Sequence, residues 1–302
     1  MTAVAQNISI GTARHVDLIR AGLGRELKSL EGEGLKVQLQ ERPAGRYTFL
    51  SCQVTSYGKD KYKGKDKEAL FRYRVARFLS ELILDQWEKL LVEEMIRENY
   101  YYFNEEERRN IFEYTLGYIG HPAGGVPGQG QIFRSRLKRA ITEKIMDFLR
   151  QHNQIIIEGF IRFRLKEYVD ELQQAIERAV DDFLMEREYR EFIQLLRYFV
   201  EIQESRVDLV HVLIHPGGVF HLLDERAQVI SNESLEGLIM ELVDGKINNE
   251  DMLISALITL APRQVVFHCA GTGEHEITLK TIRGVFYGRV RECQGCPLCR
   301  KE

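Results

Sequence analysis

Three of the chain's five cysteines fall within its last ten residues, as Cys293-Gln-Gly-Cys296-Pro-Leu-Cys299. Free cysteines that serve only as small core hydrophobes scatter singly along a chain, so three thiols at Cys-x-x-Cys-Pro-x-Cys spacing point to metal binding. Thiolates bind a borderline-soft ion at ~2.3 Å, and a tetrahedral site needs four donors. Gly295 and Pro297 on either side of Cys296 let a short backbone turn around the ion. Cys269, twenty-four positions upstream, is the expected fourth ligand, with His268, His275 or a water as competitors. Zinc suits four thiolates and needs no redox machinery. An iron–sulfur cluster is the runner-up, because the ferredoxin-type run has a fourth cysteine this tail lacks and places its proline elsewhere. Cys52, isolated on an N-terminal strand, reads as a buried small hydrophobe.

Convergence of residues 269 and 293 requires particular elements between them. Gln264 to Cys269 is strand-like, Glu274 to Phe286 is an amphipathic helix with Gly288 at its cap, and Arg289 to Cys293 is a second short strand. This βαβ succession has room for a helical crossover, so its strands are expected parallel and adjacent, with both cysteines at carboxyl ends on one edge. Upstream, Asp208–Ile214 and Val219–Leu223 flank His215-Pro-Gly-Gly218 as a β-hairpin. Leu235–Val243 reads as a short helix, and Asn248 to Asp251 cap another that ends before Pro262. His211 and His215 on one strand face, with His221 across the hairpin, form an alternative metal or acid–base set supported by Asp224 and Glu225. That set would carry a metal-dependent enzyme. Its competing reading is ordinary hydrogen-bonded strand histidines.

The other two thirds read as scaffold. Ile8–Ile10, Leu35–Gln40 and Tyr47–Val54 are strand-like and Ala13–Leu30 helical, with turn chemistry at Arg42-Pro-Ala-Gly45. From Asp66 to about Glu204 the pattern is helical. Leu70, Tyr73, Phe78, Leu82, Trp87, Leu90, Leu91 and Met95 recur at three- to five-residue intervals. A second stripe from Leu165 to Phe183 resumes at Tyr189, Phe192, Ile193, Leu196, Phe199 and Val200 after a phase slip at Glu186–Glu188, where a kink or break is expected. The glycine-rich loop His121–Gly130 precedes a helix carrying Arg134, Arg136, Lys138 and Arg139. Helix-start amides with arginines suit phosphate, but no strand leads into the loop and no Gly-Lys-Ser/Thr ends it, so a plain connection is the better reading. The fold class is mixed α+β, predominantly helical: a small N-terminal α/β unit (1–60), a helical domain (61–204) and a C-terminal α/β domain with the cysteine knuckle (205–302).

The chain has 302 residues, is 44% hydrophobic and 29% charged, and carries a net charge of −3. Those values describe an ordinary globular protein. The N-terminus has no signal-peptide pattern, and the most apolar window, Met252–Ala261, is short of the ~18–20 residues a membrane span needs. A cytoplasmic, thiol-reducing compartment is therefore expected, which favours metal over disulfides. Charge is uneven. Between Thr55 and Phe78 eight basic residues, from Lys59 to Arg77, face three acids, whereas Glu201–Leu260 holds eleven acids against three bases. The basic stretch reads first as a solvated loop and second as a contact for nucleic acid or an anionic partner, and the two patches also suit mutual attraction within one chain or between copies. No Gly-x-Ser-x-Gly or His-Glu-x-x-His signature occurs.

Several longer runs carry a family resemblance: Phe163–Val169, Val180–Phe192, Leu195–Gln203, Leu257–Pro262, Thr281–Phe286 and the closing cysteines. Across about its last two thirds the chain resembles the YtxC-like family of sporulation proteins from endospore-forming Firmicutes. The resemblance implies a cytoplasmic, sporulation-associated protein whose biochemical role is not established. It transfers no catalytic residues. Together with the knuckle it implies a non-catalytic protein with a structural metal and an unidentified protein partner.

Overall fold

The computed structural model describes residues 6–31, 35–56, 64–119, 129–215, 219–230, 249–268 and 276–300. It is mixed α+β and mostly helical, and its contacts group the chain into two compact units, Met1–Phe183 and Leu184–Glu302.

In the first unit, β1 (Gln6–Thr12), α1 (Val16–Glu31), β2 (Leu35–Ala44) and β3 (Tyr47–Ser56) begin the chain. β2 and β3 form an antiparallel hairpin whose turn uses Gly45 at φ +62°, a left-handed conformation that favours glycine. β3 pairs antiparallel with β1. On its other side β1 takes a parallel three-residue strand, β4 (Gln154–Ile156), which gives the order β2-β3-β1-β4. Strand alternation sends Ile8, Ile10, Leu50, Cys52 and Val54 inward, and all five are buried.

The helices of this unit are α2 (Gly64–Leu82), α3 (Glu88–Asn99), α4 (Glu105–Tyr118), α5 (Gln129–Gln151), α6 (Ile157–Arg164) and the first half of α7 (Lys166–Ile202). A π-turn, Ile83–Trp87, joins α2 to α3, with the Glu88 amide donating to the Ile83 carbonyl five residues back. The turn keeps Leu84 and Trp87 buried and leaves Glu88 only 4% exposed. Both Glu88 oxygens are satisfied. The Tyr168 hydroxyl donates to one at 2.8 Å and Arg134 to the other at 3.2 Å. α4 starts with a reciprocal capping box between Asn104 and Glu107.

α7 runs unbroken from Lys166 to Ile202, so of the kink or break expected at Glu186–Glu188 the break does not occur. The phase slip has another cause. Residues Tyr168 to Phe183 bury one stripe in the first unit, while Ile193, Leu196 and Val200 bury another in the second. One continuous helix can supply two faces to two cores. Phe192 and Phe199, expected in the core, are 54% and 44% exposed.

The second unit is a four-stranded sheet in the order β6-β5-β7-β8. β5 (Leu209–His215) and β6 (Val219–Leu223) pair antiparallel as expected. β7 (Gln264–His268) runs parallel to both β5 and β8 (Val290–Glu292). Its described helices include α8 (Asn249–Leu260) and α9 (Glu276–Val285), α9 being the crossover of the βαβ element; the helix expected at 235–243 lies outside the described residues. Val210 and Val212 of β5 and Val265 and Phe267 of β7 join Leu257, Ile282 and Phe286 in one buried cluster. Because successive side chains alternate between faces, His211 and His268 belong to the opposite face.

Candidate metal centre

The β7–β8 pairing matches Val265 with Val290 and Phe267 with Glu292, so continuing it one step sets residue 293 beside residue 268. The Cys293 amide extends the ladder by donating to the Phe267 carbonyl at 2.9 Å. Past Cys293 the chain turns through Gly295 at φ +114°, which only glycine adopts readily, and closes in a 3₁₀ turn over Pro297–Arg300. There the Cys299 amide donates to the Cys296 carbonyl at 3.0 Å. The tail is thereby returned to the end of β7.

This brings four donors together: the Cys293, Cys296 and Cys299 sulfurs and Nδ1 of His268, all within 4.8 Å of one another. Cys299 Sγ lies 3.8 Å from Cys296 Sγ and 3.7 Å from Cys293 Sγ. His268 Nδ1 lies 3.3 Å from Cys296 Sγ and 3.4 Å from Cys299 Sγ. A regular tetrahedron with metal–sulfur bonds of ~2.3 Å has edges of ~3.8 Å, and one with a nitrogen at ~2.0 Å has nitrogen–sulfur edges of ~3.5 Å. These four separations are close to those around one ion, and the remaining two are within 4.8 Å. In a four-iron cluster each thiolate binds its own iron, which holds the sulfurs farther apart than a shared ion does. The spacing therefore favours a mononuclear site over the iron–sulfur alternative.

At Cys296 and His268 the electrostatics also suit a cation. Desolvation opposes ionisation of Cys296, but hydrogen bonds from the Cys299 and Leu298 amides and from the Cys293 and Cys299 thiols outweigh it and lower its pKa. Cys293 accepts a hydrogen bond from the Gly295 amide that favours its thiolate; desolvation and the two neighbouring thiols work against this and leave its pKa raised. His268 is 7% exposed. Burial first, and His211 second, hold its pKa below the ordinary imidazole value, so its ring is neutral and has a lone pair to give. The cluster can hold a metal ion.

Cys269, the expected fourth ligand, lies outside the described residues, as does His275. Among the described residues the fourth donor is His268. Strand register places His211 and His221 on one face of the β5–β6 hairpin, but among the described residues the group that could hold a metal includes neither. Nδ1 of His211 lies 2.9 Å from Nε2 of His268, on the neighbouring strand. His221 is paired across the hairpin with Leu213, and the side chain of His215 is outside the described residues. Asp224 is committed to its own turn, accepting from the Arg226 and Gln228 amides at 2.9 Å. In the basic segment, Lys59, Lys61 and Lys63 also lie outside the described residues. Its arginines are paired internally: Arg72 with Glu68 at 2.8 Å, Arg74 with Glu26 at 3.9 Å and Arg77 with Glu26 at 3.6 Å. Of the cations on α5, Arg134 pairs with Glu88 and Asp85, Lys138 with Glu81 and Arg139 with Glu143, so none of these three is free for a phosphate. The buried Glu88 was not anticipated, although its place midway between Leu84 and Val92 on an apolar face was the available signal.

The profile of the YtxC-like family matches residues 73–291, and the chain belongs to that family. It is 28% identical to "Uncharacterized protein YtxC" of Bacillus subtilis (strain 168) over 197 residues, 65% of this chain and 68% of that protein. No solved structure matches. Among the described residues, no helix is long and apolar enough to cross a membrane.

Proposed function

We propose that this YtxC-like chain is a non-catalytic, sporulation-associated cytoplasmic protein whose tail is a structural zinc knuckle of Cys293, Cys296, Cys299 and His268. One observation carries the reading: three sulfurs and one nitrogen lie within 4.8 Å of one another, and the Cys299–Cys296, Cys299–Cys293, His268–Cys296 and His268–Cys299 separations are close to the edges of a single tetrahedral site. Structural zinc sites are closed by four protein donors, whereas catalytic ones keep a position for water or substrate. Four protein donors support the structural role. The knuckle pins the C-terminal tail to the end of β7 and stiffens the second unit, or a surface on it for a protein partner. The sporulation association rests on the family resemblance.

The test is metal analysis of protein purified without chelator, alongside Cys296→Ser. Wild-type protein should carry about one zinc per chain and little iron, and the variant should lose most of the metal and melt at a lower temperature. Wild-type protein free of transition metal, or a variant unchanged in both metal content and melting, would overturn the proposal.

A further inference from the structure

We infer that His211 is the positioning residue of this site: it fixes which nitrogen of His268 faces the metal. The inference rests on the metal reading above and deepens it. The two nitrogens of His268 have different surroundings. Nδ1 faces the sulfurs of Cys296 and Cys299 at 3.3 and 3.4 Å, and Nε2 faces Nδ1 of His211 at 2.9 Å. An imidazole that gives its Nδ1 lone pair to a metal carries its proton on Nε2. That proton needs an acceptor, because His268 is buried at 7% exposure and a buried unpaired N–H is costly. The Nδ1 lone pair of His211 is the acceptor in reach, so His211 carries its own proton on Nε2. Ring centroids 5.0 Å apart and planes inclined at 55° make this an edge contact between nitrogens rather than a stack.

Strand register sets the contact. β5 and β7 run parallel with His211 matched to Val266 and Leu213 to His268, so His211 is the diagonal neighbour of His268 on the same face. Both histidines sit on rigid strands, which is the arrangement that orients a metal-binding ring through its second nitrogen. Residue 211 thereby supports the metal without touching it.

The test compares full-length wild-type protein with His211→Leu, which keeps bulk and removes the acceptor, and His211→Gln, which restores a carbonyl acceptor. Zinc affinity is read by competition with a chromophoric chelator, and the melting temperature of each metal-free protein is read in parallel. The Leu variant should bind zinc about 10- to 100-fold more weakly, the range typical of a lost partner to a ligating histidine. The Gln variant should recover most of that loss, and the metal-free proteins should melt alike. A measurement independent of the variants is nitrogen-15 NMR of zinc-loaded wild-type protein, in which His268 should show a metal-bound Nδ1 and a protected proton on Nε2. Equal zinc affinity in wild type and His211→Leu, equal weakening in Leu and Gln, or zinc on Nε2 would each overturn the role of His211. Failure of the wild-type protein to bind zinc would instead overturn the metal reading on which it stands.

Discussion

Cys52 and Cys296 have the same functional group in opposite settings. Cys52 is fully buried on β3 among Ile8, Ile10 and Leu50, and burial pushes its thiol from an ordinary 9.0 up to about 12. Cys296 has amide donors at its sulfur and a lowered pKa. The first is an inert hydrophobe and the second is ready to ligate, because it is the thiolate that binds metal. Burial of Cys52 gives a pH signature. Its folded pKa is raised, so the folded state keeps a proton that the unfolded state releases. The associated stability is fully present below pH 9 and is lost as pH rises from there toward about 12. Unfolding in urea, followed by Trp87, the chain's single tryptophan and a residue of the same unit, should show wild-type stability falling by up to about 1.4 kcal/mol per pH unit above pH ~9 from this group. Cys52→Ala should be less stable at neutral pH by about 1–2 kcal/mol, through the cavity it leaves, and should fall less steeply in alkali. Parallel alkaline slopes in the two proteins would show that Cys52 does not carry the effect.

α1 approaches α2 most tightly at a glycine, Gly22. A Cβ built at Gly22 would stand 2.2 Å from Cε2 and 2.3 Å from Cζ of Phe78, whereas one at Gly24, two residues on, would meet nothing within 4 Å. Phe78 is itself buried, so its ring must shift before a methyl group fits at residue 22. Gly22→Ala should therefore destabilise by about 1–3 kcal/mol through overpacking. Gly24→Ala should be neutral or stabilising by up to about 1 kcal/mol, since alanine is the better helix former. Thermal melts of the two variants check the pair, and an equal response would mean that α1 does not approach α2 at Gly22. Neither glycine stands out in the sequence, because close approach depends on which helix arrives from elsewhere in the chain. What was legible at this scale came from local spacing. The strand-like runs 208–214 and 219–223, and 264–269 and 289–293, identified a hairpin and a βαβ element whose pairings the structure bears out, and the five-residue step from Leu82 to Trp87 coincides with the π-turn. What was not legible depended on register between distant strands. β4 has only three residues and no period of its own. The contact of His211 with His268 requires knowing that β5 lies parallel and next to β7, which a β-hairpin and a βαβ element read separately do not reveal.

At the scale of the chain, the two units differ in size and in how their sheets end. The first has a four-stranded sheet backed by long helices, with Ile10, Leu23, Leu50, Phe71 and Ile145 all fully buried. The second is smaller, and its β8 contributes three residues to the sheet, held on one side only. An edge strand that short is marginal by itself, and the residues that follow it carry three of the four proposed metal ligands. A metal that binds the folded state and not the unfolded one stabilises the unit containing its ligands by mass action. Removing zinc from the intact chain with a strong chelator should therefore lower the melting of the second unit and leave the first in place. Hydrogen exchange should show faster amide exchange over 264–268 and 290–300, with no change over 6–12 and 47–56. Reloading with about one equivalent of zinc should restore the protection. Uniform loss of protection along the chain would mean that the knuckle acts on the whole molecule rather than on one unit, and no change in any segment would mean that it has no structural role.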